Sequence, residues 1–150
     1  MILATRSDAP ILVVEDSDED FQALTWAMRK LKLTRQVVRC TEGGEAIEYL
    51  RRAGPYSDEA MPGLVLLDLN LMSSDGCDIL AEIKGDPAIA LTPVVVWTTS
   101  ANPSDVERCY RSGANSYVLK PMDTDEFLHE VNMLTRYWFD VVMLPSSVPE

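Results

Sequence analysis

Five short apolar runs divide the 150-residue chain, and they constrain its fold more than any other feature. They are rich in β-branched side chains, and long, more polar segments separate them. Strands that are buried on both faces read as nearly unbroken hydrophobic runs, so this pattern is typical of a parallel β-sheet. The predicted strands are ILVV (11–14), QVVRC (36–40), LVLLDL (64–69), PVVVW (93–97) and SYVL (116–119).

The segments between and after these runs carry helix start and stop signals. Ser17 and the acids that follow it predict a helix over about 18–32, and a second is predicted over 41–53, closed by Gly54. A third is predicted over 75–84, a fourth from Asn102 to about Ser112, and a fifth from Asp123, with an apolar stripe of Phe127, Val131, Leu134 and Trp138. Five strands alternating with five helices predict an α/β fold: a doubly wound parallel sheet with helices on both faces.

Composition favours a single cytosolic domain. A formal net charge of −11 repels phosphate backbones and anionic lipid, so neither nucleic acid nor a membrane surface is an expected partner. No run approaches the roughly 18 apolar residues of a spanning helix, and the first residues do not read as a secretion signal. The odd number of widely spaced cysteines, Cys40, Cys77 and Cys109, predicts reduced thiols that serve as packing residues.

Polar and charged side chains follow several of the predicted strands. Glu15 and Asp16 follow the apolar run ILVV of the first strand, and Asp68 follows the run LVLL of the third. Ligands of doubly wound sheets bind outside the carboxyl ends of the strands, so these acids are expected to converge there. Closely spaced carboxylates repel one another, and oxygen ligands alone select a hard cation such as Mg2+.

The fourth and fifth strands add groups that suit a phosphoryl group at the same edge. Thr98 offers a hydroxyl donor and Lys120 a compact positive charge. A carboxylate can act as a nucleophile toward phosphorus and form an acyl phosphate. Because Asp68 ends the central strand, it is the predicted phosphoacceptor.

The segments VVED (13–16), LLDLNL (66–71), VWTTS (96–100) and YVLKP (117–121) resemble the receiver domain of two-component response regulators over about residues 10–140. The resemblance implies a flavodoxin-like sheet of order 2-1-3-4-5 and phosphorylation of Asp68 by a phosphohistidine of a sensor kinase. It implies that Asp16, Asp68 and the backbone carbonyl of Asn70 bind the metal, with Glu15 acting mainly through water. Thr98 and Lys120 would bind the phosphoryl group.

The resemblance extends to a switch and to one departure from the family pattern. Tyr117 would turn inward when the Thr98 hydroxyl moves to the phosphoryl group, and the peptide bond before Pro121 is a candidate for the cis form. Met72 stands where many receivers have a proline, and this difference is expected to loosen the loop after the third strand.

The chain ends in an unusually apolar segment, TRYWFDVVMLPSSVPE (135–150). This ending, the DLNL motif and the long loop before the third strand look most like the stand-alone regulators of bacterial, especially cyanobacterial, phytochromes. That resemblance implies a phytochrome kinase partner and a homodimer. We therefore divide the chain into an N-terminal segment (1–9), a receiver domain (10–140) and a C-terminal extension (141–150), with expected dimer contacts at Phe127, Val131, Trp138, Phe139 and Leu144.

Two other functions fit part of the pattern. A haloacid-dehalogenase-type phosphatase also uses an aspartyl nucleophile with Mg2+, but it needs a second acid two residues later, where this chain has Asn70. A phosphorylation-independent docking adaptor would keep only the fold. The complete set of pocket residues favours a phosphoacceptor signalling protein that is not a turnover enzyme.

Overall fold

A computed structural model describes residues 8–145 of the chain. The predicted N-terminal segment and C-terminal extension therefore lie partly outside the described residues. Within them the strands are β1 (Ile11–Val14), β2 (Val37–Cys40), β3 (Leu64–Leu67), β4 (Val94–Thr98) and β5 (Ser116–Leu119). The helices are α1 (Asp18–Lys30), α2 (Gly43–Arg51), α3 (Gly76–Gly85), α4 (Pro103–Arg111) and α5 (Thr124–Arg136), with a 3-10 turn at Gly54–Tyr56 and a π-helical turn at Tyr137–Val141.

The five strands form one parallel sheet in the order β2-β1-β3-β4-β5. This is the flavodoxin-like topology that the resemblance implied. The strand order reverses at β1, so β1 and β3 flank the switch point at which such sheets bind ligands.

Alternate side chains along each strand point to opposite faces of the sheet, and each face has its own hydrophobic core. Leu12, Val65 and Val96 pack with residues of α2, α3 and α4 on one face. Val13 and Leu66 belong to the other face, where they pack with residues of α1 and α5. Both faces are covered, which explains why the strands read as continuous apolar runs.

Side chains at the residues before four of the helices fix where those helices begin. Ser17, Asp75, Asn102 and Asp123 each accept a hydrogen bond from a backbone N–H in the first turn that follows. These caps satisfy amide groups that have no partner inside the helix. The predicted helix starts at 18, 75, 102 and 123 therefore lie at the observed starts or within one residue of them.

The second helix ends before the glycine that was expected to close it. Arg52 adopts the left-handed conformation with φ 55°, and its N–H and that of Ala53 bond to the last helical carbonyls. Gly54 instead begins the 3-10 turn. The backbone closed the helix through a non-glycine residue, which sequence preference for glycine at this position does not predict.

Within residues 8–145 no helix combines the length and the apolar character that crossing a bilayer requires.

Candidate functional site

The carboxyl ends of four adjacent strands bring together most of the predicted site residues. Glu15 follows β1, Asp68 follows β3, Thr98 ends β4 and Lys120 follows β5. Glu15, Asp68 and Thr98 are buried, although all three are polar or charged. Burying a polar or charged group costs free energy unless the group is paired. Three such groups at one edge of the sheet therefore indicate a functional site.

The ammonium group of Lys120 lies at the centre of the site. Its Nζ is 2.5 Å from Glu15 Oε1, 2.9 Å from Asp20 Oδ2 and 3.2 Å from Asp68 Oδ2. In the part of the chain that the structure describes, Glu15, Asp20 and Asp68 form a carboxylate cluster whose oxygens lie within 4.8 Å of one another. One ammonium group faces three carboxylates, so the cluster keeps an excess of negative charge that a bound cation would balance.

Burial and the charge of neighbouring groups have opposing effects on the pKa values of Glu15 and Lys120. Loss of water on burial raises the pKa of Glu15 to about 7, although Lys120 opposes this shift. Burial disfavours the charged form of Lys120, but the carboxylates of Glu15, Asp68 and Asp20 outweigh this effect and raise its pKa. Lys120 therefore stays charged at neutral pH.

The oxygens of this cluster fit a divalent cation. Carboxylates are the ligands that Mg2+ and Mn2+ prefer, and none of the three clustered residues is a histidine or a cysteine. Asp68 is further positioned by the backbone N–H of Asn70, which donates to its Oδ1 over 3.1 Å. The site therefore holds Asp68 from both sides, with Lys120 on one oxygen and a main-chain amide on the other.

Asp20 is a member of the cluster that the sequence motifs do not indicate. It lies in the first turn of α1 and was interpreted only as part of the helix start. Its separation from Lys120 by 100 positions leaves no local sequence pattern that links the two side chains. One sequence feature could have predicted that Asp20 lies at the site: it is one helical turn beyond Asp16, on a helix that begins there.

Asp16, one of the expected metal ligands, faces elsewhere in this structure. Its Oδ2 accepts a hydrogen bond of 2.6 Å from the backbone N–H of Met72, and it is outside the carboxylate cluster. A proline at position 72 has no N–H, so this bond depends on the departure from the family pattern. The loop was expected to be loosened by Met72, but its amide ties the loop to Asp16. Metal binding by Asp16 stays a prediction.

A chain of hydrogen bonds connects Asp68 to Tyr117. The Asn70 side chain donates to Thr98 Oγ1 over 3.4 Å, and the Ser100 N–H donates to the same oxygen over 3.3 Å. The Tyr117 hydroxyl donates to the Ser100 carbonyl over 2.7 Å. A change at Asp68 thus has a continuous hydrogen-bonded route to the aromatic ring on β5.

The peptide bond before Pro121 is not cis, because residues 8–145 hold no cis peptide bond. The candidate cis form is therefore not found in this structure. The trans form is the lower-energy isomer of X–Pro bonds by about 0.5–1 kcal/mol.

The residues expected to form a dimer contact lie largely in the chain's own core, which corrects that prediction. Val131, Trp138, Phe139 and Leu144 are each at most 9% exposed and belong to the hydrophobic cluster under α1 and α5. Phe127 stacks on Trp97 with ring centroids 5.4 Å apart. The π-helical turn explains this, because it brings the adjacent Trp138 and Phe139 both into the core. The apolar ending therefore completes this domain, and other residues would have to form a dimer contact.

Comparison with known proteins identifies the same family by a family model and by a full-length relative. Residues 11–132 match the family model described as "Response regulator receiver domain". Response regulator Rcp1 of Synechocystis sp. is 34% identical over 147 residues, which cover 97% of this chain and 100% of that relative.

Two solved structures are similar over nearly the whole chain. The phosphorylated cyanobacterial phytochrome response regulator RcpA has a TM-score of 0.86 at 35% identity, covering 93% of this chain and 99% of that one. The Mn2+-bound form of Rcp1 has a TM-score of 0.83 at 34% identity, covering 91% of this chain and 99% of that one.

Proposed function

The chain belongs to the response regulator receiver domain family, and from this premise we propose that it accepts a phosphoryl group on Asp68 from a phosphohistidine of a sensor kinase. The observation that carries this proposal is the placement of the Asp68 carboxylate, which is buried and held by Lys120 and by the Asn70 amide. A buried carboxylate with fixed orientation is prepared to meet an incoming phosphorus atom.

In the proposed reaction, one carboxylate oxygen of Asp68 attacks the phosphorus of the phosphohistidine. A phosphorus–oxygen bond forms, the phosphorus–nitrogen bond breaks, and the imidazole nitrogen keeps its electron pair. Phosphoryl transfer depends mainly on positioning and on neutralising the oxygens of the transferred group. Lys120 supplies a positive charge at Asp68, and the Thr98 hydroxyl lies one side chain away, across Asn70.

We assign Mg2+ as the cofactor of this reaction. Glu15, Asp20 and Asp68 would hold it, because they form the carboxylate cluster, and the family resemblance adds Asp16 and the Asn70 carbonyl. A bound divalent ion supplies charge neutralisation for the phosphoryl oxygens. The Mn2+-bound form of the relative Rcp1 supports this assignment.

Phosphorylation is proposed to act through Thr98 and Tyr117. The hydrogen bond from Tyr117 to Ser100 holds the ring in one position, and a movement of Thr98 toward the phosphoryl group would release it. Such a change biases an equilibrium between two conformations that both exist beforehand. The output would then appear on the surface of α4, β5 and α5.

A phytochrome is the proposed kinase partner, because RcpA is a phytochrome response regulator. We also propose a homodimer through the α4, β5 and α5 surface. Its support is a groove beside β5, in which the apolar Met133 and Tyr137 are about half exposed. Location in the cytoplasm stays a prediction from composition.

Phosphotransfer to the full chain tests the proposal. The chain is incubated with Mg2+ and either acetyl phosphate or a radiolabelled phytochrome kinase. We expect about one phosphate per chain, absent in Asp68→Asn and retained in the control Asp78→Asn, an exposed acid in α3.

Equal labelling of Asp68→Asn and the parent chain would overturn the proposal. Repeated turnover of a generic phosphoester would instead indicate the phosphatase alternative. Partner binding that Asp68→Asn and phosphorylation both leave unchanged would indicate the docking adaptor.

A further inference from the structure

Two cysteines from facing helices meet inside the core that lies under α2, α3 and α4. Cys77 is in the first turn of α3 and Cys109 in the last turn of α4. Their Sγ atoms are 2.9 Å apart, and the side chains are 2% and 0% exposed. Both thiols are free, as the odd number and wide spacing of the cysteines predict.

Ion pairs beside the two cysteines hold α3 and α4 together. Arg108, next to Cys109, donates to Asp75 Oδ2 over 2.8 Å and to Asp78 Oδ1 over 3.0 Å, which ties α4 to the start of α3. A disulfide has a sulfur–sulfur distance of about 2.05 Å, so the two Sγ atoms need to approach by only about 0.9 Å from their 2.9 Å separation.

We propose that Cys77 and Cys109 are a redox modification site, which hydrogen peroxide converts into an intramolecular disulfide. One sulfur attacks the peroxide, whose oxygen–oxygen bond breaks to give a sulfenic acid and one water. The second sulfur displaces the hydroxyl group as another water, and the sulfur–sulfur bond forms. Two thiols lose two hydrogens and two electrons in total, and the peroxide is reduced to two waters.

The site is expected to react slowly, through opening of α4. Burial raises the pKa of the Cys109 thiol to about 12, so the reactive thiolate is scarce at neutral pH. Cys109 is also the buried residue of α4, whose other residues are partly or fully exposed. A helix with so little buried surface opens locally more easily than the core strands do.

A disulfide here would fix α4 against α3. Tyr117 packs against the same core cluster that contains both cysteines. On the basis of the proposed function, oxidation would hinder the movement by which phosphorylation reaches the α4, β5 and α5 surface. Oxidation would thus be a second input to the same output surface.

Peroxide treatment of the full chain, followed by thiol alkylation and non-reducing peptide mapping, tests the site. We expect the free thiols to fall from three to one, with a Cys77–Cys109 peptide that a dithiol reductant removes. The unfolding temperature of the oxidised chain should rise by about 5 °C, because the crosslink restricts the unfolded state.

Cys40→Ser is the matched control, because Cys40 is equally buried, burial also raises its pKa to about 12, and the structure shows no sulfur in contact with it among residues 8–145. This variant should still form the crosslink, whereas Cys77→Ala and Cys109→Ala should not.

Three intact thiols under peroxide that fully oxidises free cysteine would overturn the proposal, as would a crosslink through Cys40 or between chains. The mapping uses no phosphodonor, so its failure is distinguishable from failure of the proposed function. A second measurement compares phosphodonor labelling and dimer formation of the reduced and oxidised chains. Unchanged dimer formation with the disulfide in place would refute the regulatory consequence alone.

Discussion

A single backbone amide at residue 72 decides where the Asp16 carboxylate points. Met72 is 95% exposed, yet its backbone N–H donates to Asp16 Oδ2 over 2.6 Å. The residue at this position thus acts through its main chain. A proline would remove the donor and leave the carboxylate free to turn toward the cluster.

Met72→Pro is therefore expected to raise Mg2+ affinity about threefold, since a hydrogen bond to a charged group no longer competes with the metal. Isothermal titration at fixed ionic strength measures this change. Met72→Ala removes the side chain but keeps the N–H, so its affinity should match that of the parent. Equal affinities for the proline and alanine variants would contradict the role of the amide.

The contribution of Asp20 to metal binding can also be tested on its own. It shares Lys120 with Glu15 and Asp68, and its removal takes one negative charge from the cluster. Asp20→Asn should weaken Mg2+ binding about tenfold, because nearby charges interact strongly at the lowered dielectric of a partly buried site.

Asp18→Asn controls for the loss of an acid from the same helical turn. Asp18 is 80% exposed and pairs with Arg39 at the rim of the site, so its loss should change the affinity less than twofold. If Asp20→Asn and Asp18→Asn bind Mg2+ alike, Asp20 is not a ligand.

At the scale of elements, the start of α3 packs so closely on the end of β3 that only glycine fits. A Cβ atom on Gly76 would lie 2.5 Å from the Asp68 carbonyl oxygen and 2.6 Å from the Leu69 Cα. Both are backbone atoms of the segment that carries Asp68, the proposed phosphoacceptor. The close approach therefore couples the position of a helix to the position of Asp68.

Gly76→Ala should reduce the free energy of unfolding by about 2–3 kcal/mol, because backbone must move to admit the methyl group. Urea denaturation measures this loss. Gly44→Ala in α2 is the matched variant, since no atom lies within 4 Å of its added Cβ. It should stabilise the chain by about 0.5–1 kcal/mol, as alanine does in a helix. A Gly76→Ala chain as stable as the parent would refute the tight packing.

For the whole molecule, the apolar residues from the last turn of α5 onward divide into a buried part and an exposed part. Leu144 is 1% exposed and packs near Gly63, across from Phe139. Met133 and Tyr137 are 50% and 54% exposed and line the groove beside β5. The buried residues hold the domain together, and the exposed ones are available for the proposed dimer contact.

Leu144→Ala should lower the free energy of unfolding by about 2–4 kcal/mol through the cavity it creates, and leave dimer formation intact. Met133→Lys should leave the free energy of unfolding nearly unchanged. It should weaken the proposed dimer at least about tenfold, because a charge would be buried in the contact. Urea denaturation and analytical ultracentrifugation measure the two effects. The control is Leu91→Lys, at a 77% exposed position between α3 and β4. Loss of the dimer in Leu144→Ala alone would contradict this division.

The sequence by itself determined the strands, most helix starts and four of the residues at the strand ends: Glu15, Asp68, Thr98 and Lys120. These features depend on local patterns, namely apolar runs, capping side chains and the residue that follows each run. Parallel strands place their carboxyl ends at one edge, so convergence could be predicted without knowing any distance.

Only the tertiary structure decided which side chains touch across long stretches of chain. Asp20 meets Lys120 across 100 positions, Met72 meets Asp16 across 56, and Cys77 meets Cys109 across 32. It also placed Trp138, Phe139 and Leu144 in the core, where an apolar pattern alone had indicated a surface. The physical reason is that such contacts depend on the relative placement and rotation of whole elements, which packing of the two cores sets and no local pattern records.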